Sequence, residues 1–189
     1  MTGLRLGEAQ ALEWDSDIDF ENKTLTVSKS MYYKSATEFY VTEPKTRAGN
    51  RTIALDDDTI KLLKDWKAIQ EKNIVSKYVL SYNGLPTNKS TTKHIIERHS
   101  KLAGVHKIKT HALRHSHASL LISLGENAIV VRDRLGHEDI ETTLGTYGHL
   151  YPNTNKEVAE KLNNLITVSK DDKKRNLVSN QFVKHKNNT

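Results

Sequence analysis

The dominant hydrophobic period of this 189-residue chain changes at Leu55. Before that point, short runs of β-formers alternate with polar residues, as half-buried strands do. After it, apolar residues recur every three or four positions, as they do on amphipathic helices. The switch predicts an α+β fold, mainly α, with a small antiparallel sheet or hairpins near the N-terminus. Residues 4–13 read as a short helix with Leu4, Ala11 and Leu12 on one face. Residues 15–19 and 24–29 read as a hairpin turned at Asn22 and Lys23. Residues 38–42 and 51–55 read as a second strand pair, joined by a loop that Pro44 and Gly49 punctuate. An acidic start at Asp56 opens a helix to about residue 73, with Ile60, Leu63, Trp66 and Ile69 on its stripe. A short strand is expected at residues 78–81. Helices follow at 87–102, 110–124, 127–135, 139–147 and 155–166, and Gly104, Gly125 and Gly136 close the first three. From Val168 onward no period survives, so a flexible tail is expected.

Composition removes whole classes of chemistry. The chain has no Cys, which excludes a disulfide scaffold, a Cys-ligated zinc finger, an iron–sulfur cluster and a Cys nucleophile. No Gly-rich phosphate loop of the Walker or dinucleotide type occurs, and no internal repeat is visible. Its longest apolar run is residues 128–131, and no apolar stretch follows Met1, so a cytoplasmic protein without a membrane span or signal peptide is expected. The 29 Lys and Arg exceed the 23 Asp and Glu by a net +6, but residues 168–189 carry +4 of that excess. A charged tail is ordinarily just solvated. Binding to a polyanion must therefore be argued from placed residues rather than from net charge.

Four short segments hold the residues that carry chemistry. His111 and Arg114 lie three apart on one predicted helix, whose apolar side is expected to be Leu113, Leu120, Leu121 and Leu124. Arg114 is either a surface residue or a buried cation that needs an anion such as phosphate, which a guanidinium grips in bidentate fashion. His111, His115 and His117 could alternatively ligate a metal, but Ala112 follows His111, so the general base of a zinc-helix motif is lacking. His137 sits at a helix junction after Leu135 and Gly136, with Tyr147 ten residues further on at a helix end. Arg5 begins a helix, where the dipole disfavours a cation; a bound anion or plain solvent exposure would account for it. Lys45 occupies a hairpin tip, with Arg47 and Arg51 close in sequence.

Taken in order, Thr2-Gly-Leu-Arg-Leu-Gly-Glu, the Pro44-Lys-Thr tip, His111-Ala-Leu-Arg-His and Leu135-Gly-His followed by Tyr147 closely resemble one family. The chain resembles the catalytic domain of the tyrosine recombinases, the phage-integrase family of site-specific recombinases. The resemblance runs from residue 2 to about residue 152. It matches Arg5 to the first catalytic Arg, Glu8 to the acidic residue supporting it, and Lys45 to the hairpin Lys. It matches His111 and Arg114 to His-x-x-Arg, His137 to the His/Trp position, and Tyr147 to the nucleophile.

What the resemblance implies is integration or excision of a mobile element by phosphoryl transfer on DNA, with no metal or other cofactor. Tyr147 would attack a backbone phosphorus, expel a 5′-hydroxyl and leave a 3′-phosphotyrosyl link that conserves the phosphodiester energy. Arg5 and Arg114 would clamp the non-bridging oxygens, and His137 would hydrogen-bond the phosphate. Lys45 would protonate the leaving oxygen. His111 would accept the Tyr147 proton, since a phenol of pKa ~10 is a poor nucleophile at neutral pH. Tyr147 is preferred to Tyr151 because Pro152 argues against a continuing helix. His115, His117 and His149 are expected to support the site or lie on the surface. The implied partners are double-stranded DNA at attachment or recombination sites, further copies of the chain in a tetrameric synaptic complex, and an accessory excision factor. The implied location is the bacterial cytoplasm, at the nucleoid when bound to DNA.

The first motif stands at the very start of the chain, whereas in the family earlier helices and an N-terminal DNA-binding domain precede it. Residues 1–167 are therefore expected to form an N-terminally truncated catalytic domain, with weakened DNA affinity and an uncovered apolar patch, and 168–189 a basic flexible tail. The last predicted helix, with Val158, Leu162, Leu165 and Ile166, is expected to dock either on its own domain or, as the resemblance implies, on a neighbouring subunit. Two other readings remain: a catalytically silent DNA-binding or dimerising remnant, and a topoisomerase of similar chemistry without site preference.

Overall fold

In the computed structural model, residues 2–35, 38–44, 46–152 and 155–163 are described. Backbone contacts divide the chain into two units, Met1–Tyr151 and Pro152–Thr189. The first unit begins with helices α1 (Leu6–Ala11) and α2 (Trp14–Asp17). Strands β1 (Ile18–Asp19), β2 (Thr24–Val27), β3 (Ser30–Tyr33), β4 (Phe39–Thr42) and β5 (Arg51–Ala54) follow. Five helices complete it: α3 (Asp57–Asn73), α4 (Lys89–Leu102), α5 (Thr110–Ser123), α6 (Ala128–Leu135) and α7 (Ile140–Tyr147). In the second unit the described element is α8 (Asn155–Leu162), which carries Val158 and Leu162 one turn apart. The expected end of that helix and the expected tail lie outside the described residues.

The α+β, mainly α, architecture is the one the change of period at Leu55 predicts. The strands pair differently. β2 is the centre of a three-stranded antiparallel sheet ordered β1-β2-β5, with Leu25 opposite both Ile18 and Ile53. The segment expected to pair with β5 instead pairs with β3, matching Tyr32 to Tyr40 and Tyr33 to Phe39. The reason is packing. Ile53 is 2 % exposed and needs the buried face that Leu25 and Val27 offer, whereas Tyr40 and Val41 of β4 are exposed. Strand β4 finds aromatic cross-strand partners on β3 instead, with ring centroids 4.9 and 5.7 Å apart.

Residues 15–19 are mostly not a strand either. The Asp17 carboxylate accepts from the Glu13 amide at 2.8 Å, which closes the α2 turn and leaves Ile18–Asp19 for pairing. Residues 78–81 form single bridges, Glu13 with Tyr78 and Ser81 with Pro86. Side chains take up their carbonyls: Trp66 Nε1 donates to Val79 O at 2.6 Å and Gln70 Nε2 to Ser81 O at 2.7 Å. Gln70 in turn accepts from Trp14 Nε1 at 2.7 Å, so this buried amide ties α2 and α3 to the 78–81 segment.

Two hydrophobic clusters position the site. The sheet buries Leu25, Val27 and Ile53 against Leu12, Trp14, Ile60 and Val79. The helices bury Ala118, Ile122, Val131, Leu135 and Tyr147 together. Helix α5 turns an unexpected face inward. Its buried residues are Arg114, His117, Ala118 and Ile122, while Leu113, Leu120 and Leu124 are exposed. The apolar stripe read from sequence is thus largely the outer face of α5, because the inner face carries a cation whose partners are backbone carbonyls.

Candidate active site

The site is organised by the end of α6. Every helix leaves its last carbonyls without intrahelical partners, and buried carbonyls need donors. Here Asn127 caps the start, accepting from the Ile129 and Val130 amides at 3.0 Å. Gly136 ends the helix in the left-handed conformation, φ +69°. The Gly136 and His137 amides both return to Arg132 O, at 2.8 and 3.1 Å. The Gly136 amide also reaches Asp133 O at 3.1 Å, and the three carbonyls after that each receive an arginine. Arg51 Nε donates to Arg134 O at 2.9 Å, Arg114 Nη2 to Leu135 O at 2.7 Å, and Arg5 Nη2 to Gly136 O at 2.9 Å. The negative end of the helix dipole favours the same three cations.

Glycine is required twice in this arrangement. A Cβ on Gly136 would stand 2.7 Å from Arg51 Nη1 and 2.8 Å from Ala48 O. Gly3, at φ +67°, accepts Arg114 Nη1 at 2.7 Å, and a Cβ there would lie 2.5 Å from His117 Cδ2. The Thr2-Gly motif therefore lets the chain start press against α5 and hold the second guanidinium nitrogen of Arg114.

One carboxylate serves the arginine group. Glu8, 4 % exposed, accepts from Arg5 Nη1 at 2.8 Å and from Arg51 Nη2 at 2.8 Å, and its Oε2 also takes the Arg5 amide at 2.8 Å. Burial pushes its carboxyl up, but the Arg51 and Arg5 hydrogen bonds outweigh this and hold it below the usual range. Among the described residues Arg114 has no carboxylate partner: it is 3 % exposed and held by two carbonyls. Burial, then repulsion from Arg5, pushes its guanidinium down to about 10, so it remains charged at neutral pH. The arrangement has an excess of fixed, buried positive charge, which is what an anion site needs.

The titratable groups lie around this cluster. His137 Nδ1 is 2.9 Å from Thr143 Oγ1. Burial, then Arg114, Arg5 and Arg51, push its imidazole down to about 4. His111 is also pushed down, by burial, then by His115, Arg114 and Arg5. Tyr147 ends α7, 4 % exposed, in the helical cluster. Burial pushes its phenol up, with Arg114 acting in the opposite sense. The phenol is hydrogen-bonded to His115, with Nδ1 2.6 Å from Oη, while the His111 ring stands edge-on to His115 at 4.7 Å and 89°. His117 accepts from Arg134 Nε at 3.2 Å, and burial, then Arg134, push it down to about 4.

Arg5, Arg114, His137, His111 and Tyr147 are thus brought together, and Lys45 lies outside the described residues. The loop that follows reaches the site, since Ala48 O would lie 2.8 Å from a Cβ on Gly136. The sequence marks Arg51 only as a neighbour of the hairpin tip and His115 only as a supporting or surface residue. An arginine entering a strand directly after a Gly-Asn turn, and a His adjoining His-x-x-Arg, were the available signals. Beside His111 a cavity of about 1110 Å³ opens, lined by Tyr32 and Tyr33 and by Lys89, Lys93, Lys107 and Lys109. Among the described residues no group of three or more His, Cys, Asp or Glu is gathered as a metal site, and no helix is long and apolar enough to cross a membrane.

Comparison with known proteins points one way. The profile of the Phage integrase family matches residues 1–154. The ICEBs1 integrase of Bacillus subtilis (strain 168) is 38% identical over 174 residues, covering 88% of this chain and 47% of that protein. A "Tyrosine recombinase XerC-like" protein of Caldanaerobacter subterraneus subsp. tengcongensis is 29% identical over 184 residues, covering 87% and 47%. The chain spans about half the length of these relatives. Among solved structures, the Tn1549 transposon integrase in complex with transposon right-end DNA superposes with a TM-score of 0.70 at 25% identity, over 85% of this chain and 55% of that one.

Proposed function

The chain belongs to the phage integrase family of tyrosine recombinases, and on that premise we propose that it cleaves and rejoins DNA at the recombination sites of a mobile element through Tyr147. The observation that carries the proposal is the convergence of Arg5, Arg51 and Arg114 on three successive carbonyls of one helix end, next to a buried tyrosine. Catalysis of phosphoryl transfer consists largely of positioning and charge stabilisation. Arg5 and Arg114 fit the non-bridging oxygens of a phosphodiester, and His137 a third hydrogen bond to it. Arg51 is the positioning residue: it holds Glu8, which orients Arg5. Tyr147 Oη attacks phosphorus, the P–O5′ bond breaks, and a 3′-phosphotyrosyl bond preserves the ester for rejoining. Lys45 is assigned to the leaving 5′ oxygen. In the sequence-based scheme His111 takes the phenol proton; its place beside Arg114 suits a hydrogen bond to phosphate equally.

Double-stranded DNA is the proposed substrate. The Tn1549 integrase was solved with DNA, and here the lysines lining the cavity beside His111 continue the positive charge away from the arginines. Assembly of four copies around two DNA sites, and an accessory excision factor, belong to the same proposal.

The test is covalent trapping on nicked suicide duplexes carrying the attachment junctions of the element that encodes the chain. The arginines supply the charge that other nucleases take from a metal, so a denaturing gel should show an adduct in EDTA. Tyr147→Phe should abolish it. Binding to the same duplexes with no adduct at any enzyme concentration would instead support a silent DNA-binding domain. Adducts formed equally on unrelated duplexes would support a topoisomerase.

A further inference from the structure

We propose that His115 is a catalytic residue of the cleavage step, the group that takes the proton from Tyr147. The inference rests on the strand-transfer reading above and assigns one step within it. It starts from a contact: His115 Nδ1 and Tyr147 Oη are 2.6 Å apart, inside the reach a general base needs. In the tautomer with its proton on Nε2, His115 Nδ1 accepts from the phenol. Tyr147 is almost wholly enclosed by α5, α6 and α7, so solvent is a poor alternative acceptor. Burial disfavours the phenolate, which makes a placed acceptor more necessary at neutral pH. His111 lies one helical turn before His115, and its ring stands edge-on to the His115 ring. That contact fixes the imidazole plane and leaves His111 available to the phosphate.

The step balances. As Oη bonds to phosphorus, its proton passes to His115 Nδ1. The P–O5′ bond breaks, and the leaving 5′ oxygen takes a proton from the acid assigned to Lys45. In rejoining, a 5′-hydroxyl attacks the phosphotyrosine and gives its proton to that amine. The departing phenolate recovers its proton from His115.

Two measurements on the full chain test this. In the first, Tyr147 is observed by NMR through ¹³C at the phenol Cζ, assigned with Tyr147→Phe. His115→Gln should shift the Tyr147 resonance and leave the other tyrosines in place; an unmoved resonance overturns the proposal. In the second, single-turnover cleavage is followed on the suicide duplex and on a duplex with a 5′-bridging phosphorothiolate, whose thiolate leaves without a proton. His115→Ala and His115→Gln should each slow cleavage by about 100-fold or more, and the phosphorothiolate should not restore the rate. A change below threefold in both variants, or full rescue by the phosphorothiolate, overturns the proposal. Circular dichroism identifies any variant that fails to fold, and His115→Gln, closest in hydrogen bonding, then carries the test. No Tyr147-dependent adduct from the unsubstituted chain would overturn the strand-transfer reading and the role of His115 together. The NMR shift would still report the contact, so the two failures are distinguishable.

Discussion

Three guanidiniums at one helix end, two of them sharing the Glu8 carboxylate, define what single residues can do here. Arg51 is nearly buried and bonds Glu8, Gly49 O and Arg134 O, so its removal leaves a buried carboxylate half-paired. Arg51→Met should cost about 3–5 kcal/mol, read from urea unfolding. Arg51→Lys should recover little of it, because an ammonium cannot span those acceptors in one plane. His137 carries a pH signature. Its folded pKa, about 4, lies below the ordinary value of 6.5. The unfolded chain therefore binds the proton more readily, so the associated stability is complete above about pH 6.5 and is lost as pH falls toward 4. His137→Asn should flatten that part of the stability profile. Glu8 works in the same direction at lower pH. Its depressed carboxyl contributes stability above the usual carboxylate range, and loses it as pH falls through the folded value. Arg114 could be read from its spacing to His111, but its burial could not. Nothing local announces that Gly3 and Leu135 will supply its acceptors from 111 and 21 residues away.

The informative element is α6. Its start and stop signals, Asn127 and Gly136, are local and were legible. That its last three carbonyls would collect three arginines was not, because those donors come from the chain start, β5 and α5. Gly136→Ala meets both a left-handed backbone, which costs about 1–2 kcal/mol for a side chain, and the Arg51 guanidinium. We expect it to lower stability by at least that amount and to slow adduct formation, because the Arg51 guanidinium and the Ala48 carbonyl must both give way. Strand identity was legible at β2, β4 and β5 from β-formers and flanking turns, but partner choice was not. Pairing followed the burial of Ile53 and the aromatic pairs of the β3–β4 hairpin, which are properties of the assembled sheet. Helix α5 misled for a related reason. Periodicity locates an apolar stripe, and here the buried stripe holds Arg114 and His117, satisfied by hydrogen bonds rather than by hydrophobic neighbours.

For the molecule as a whole, the net charge of +6 is a poor guide, since most of it lies in residues 168–189. The charge that matters is placed: the arginines at the end of α6, and the lysines of the cavity beside His111. Lys109 stands at the start of α5, next to that cavity. If it meets a DNA phosphate, Lys109→Ala should weaken binding alike on specific and unrelated duplexes. The slope of log affinity against log salt should become shallower by about 1. The central claim, however, concerns one oxygen. Digesting the trapped adduct with protease and nuclease, then sequencing the modified peptide by mass spectrometry, identifies the linked residue directly. The expected product is a nucleotide joined through its 3′-phosphate to Tyr147. A phosphonucleotide on Tyr151, on a histidine, or joined through a 5′-phosphate would contradict it.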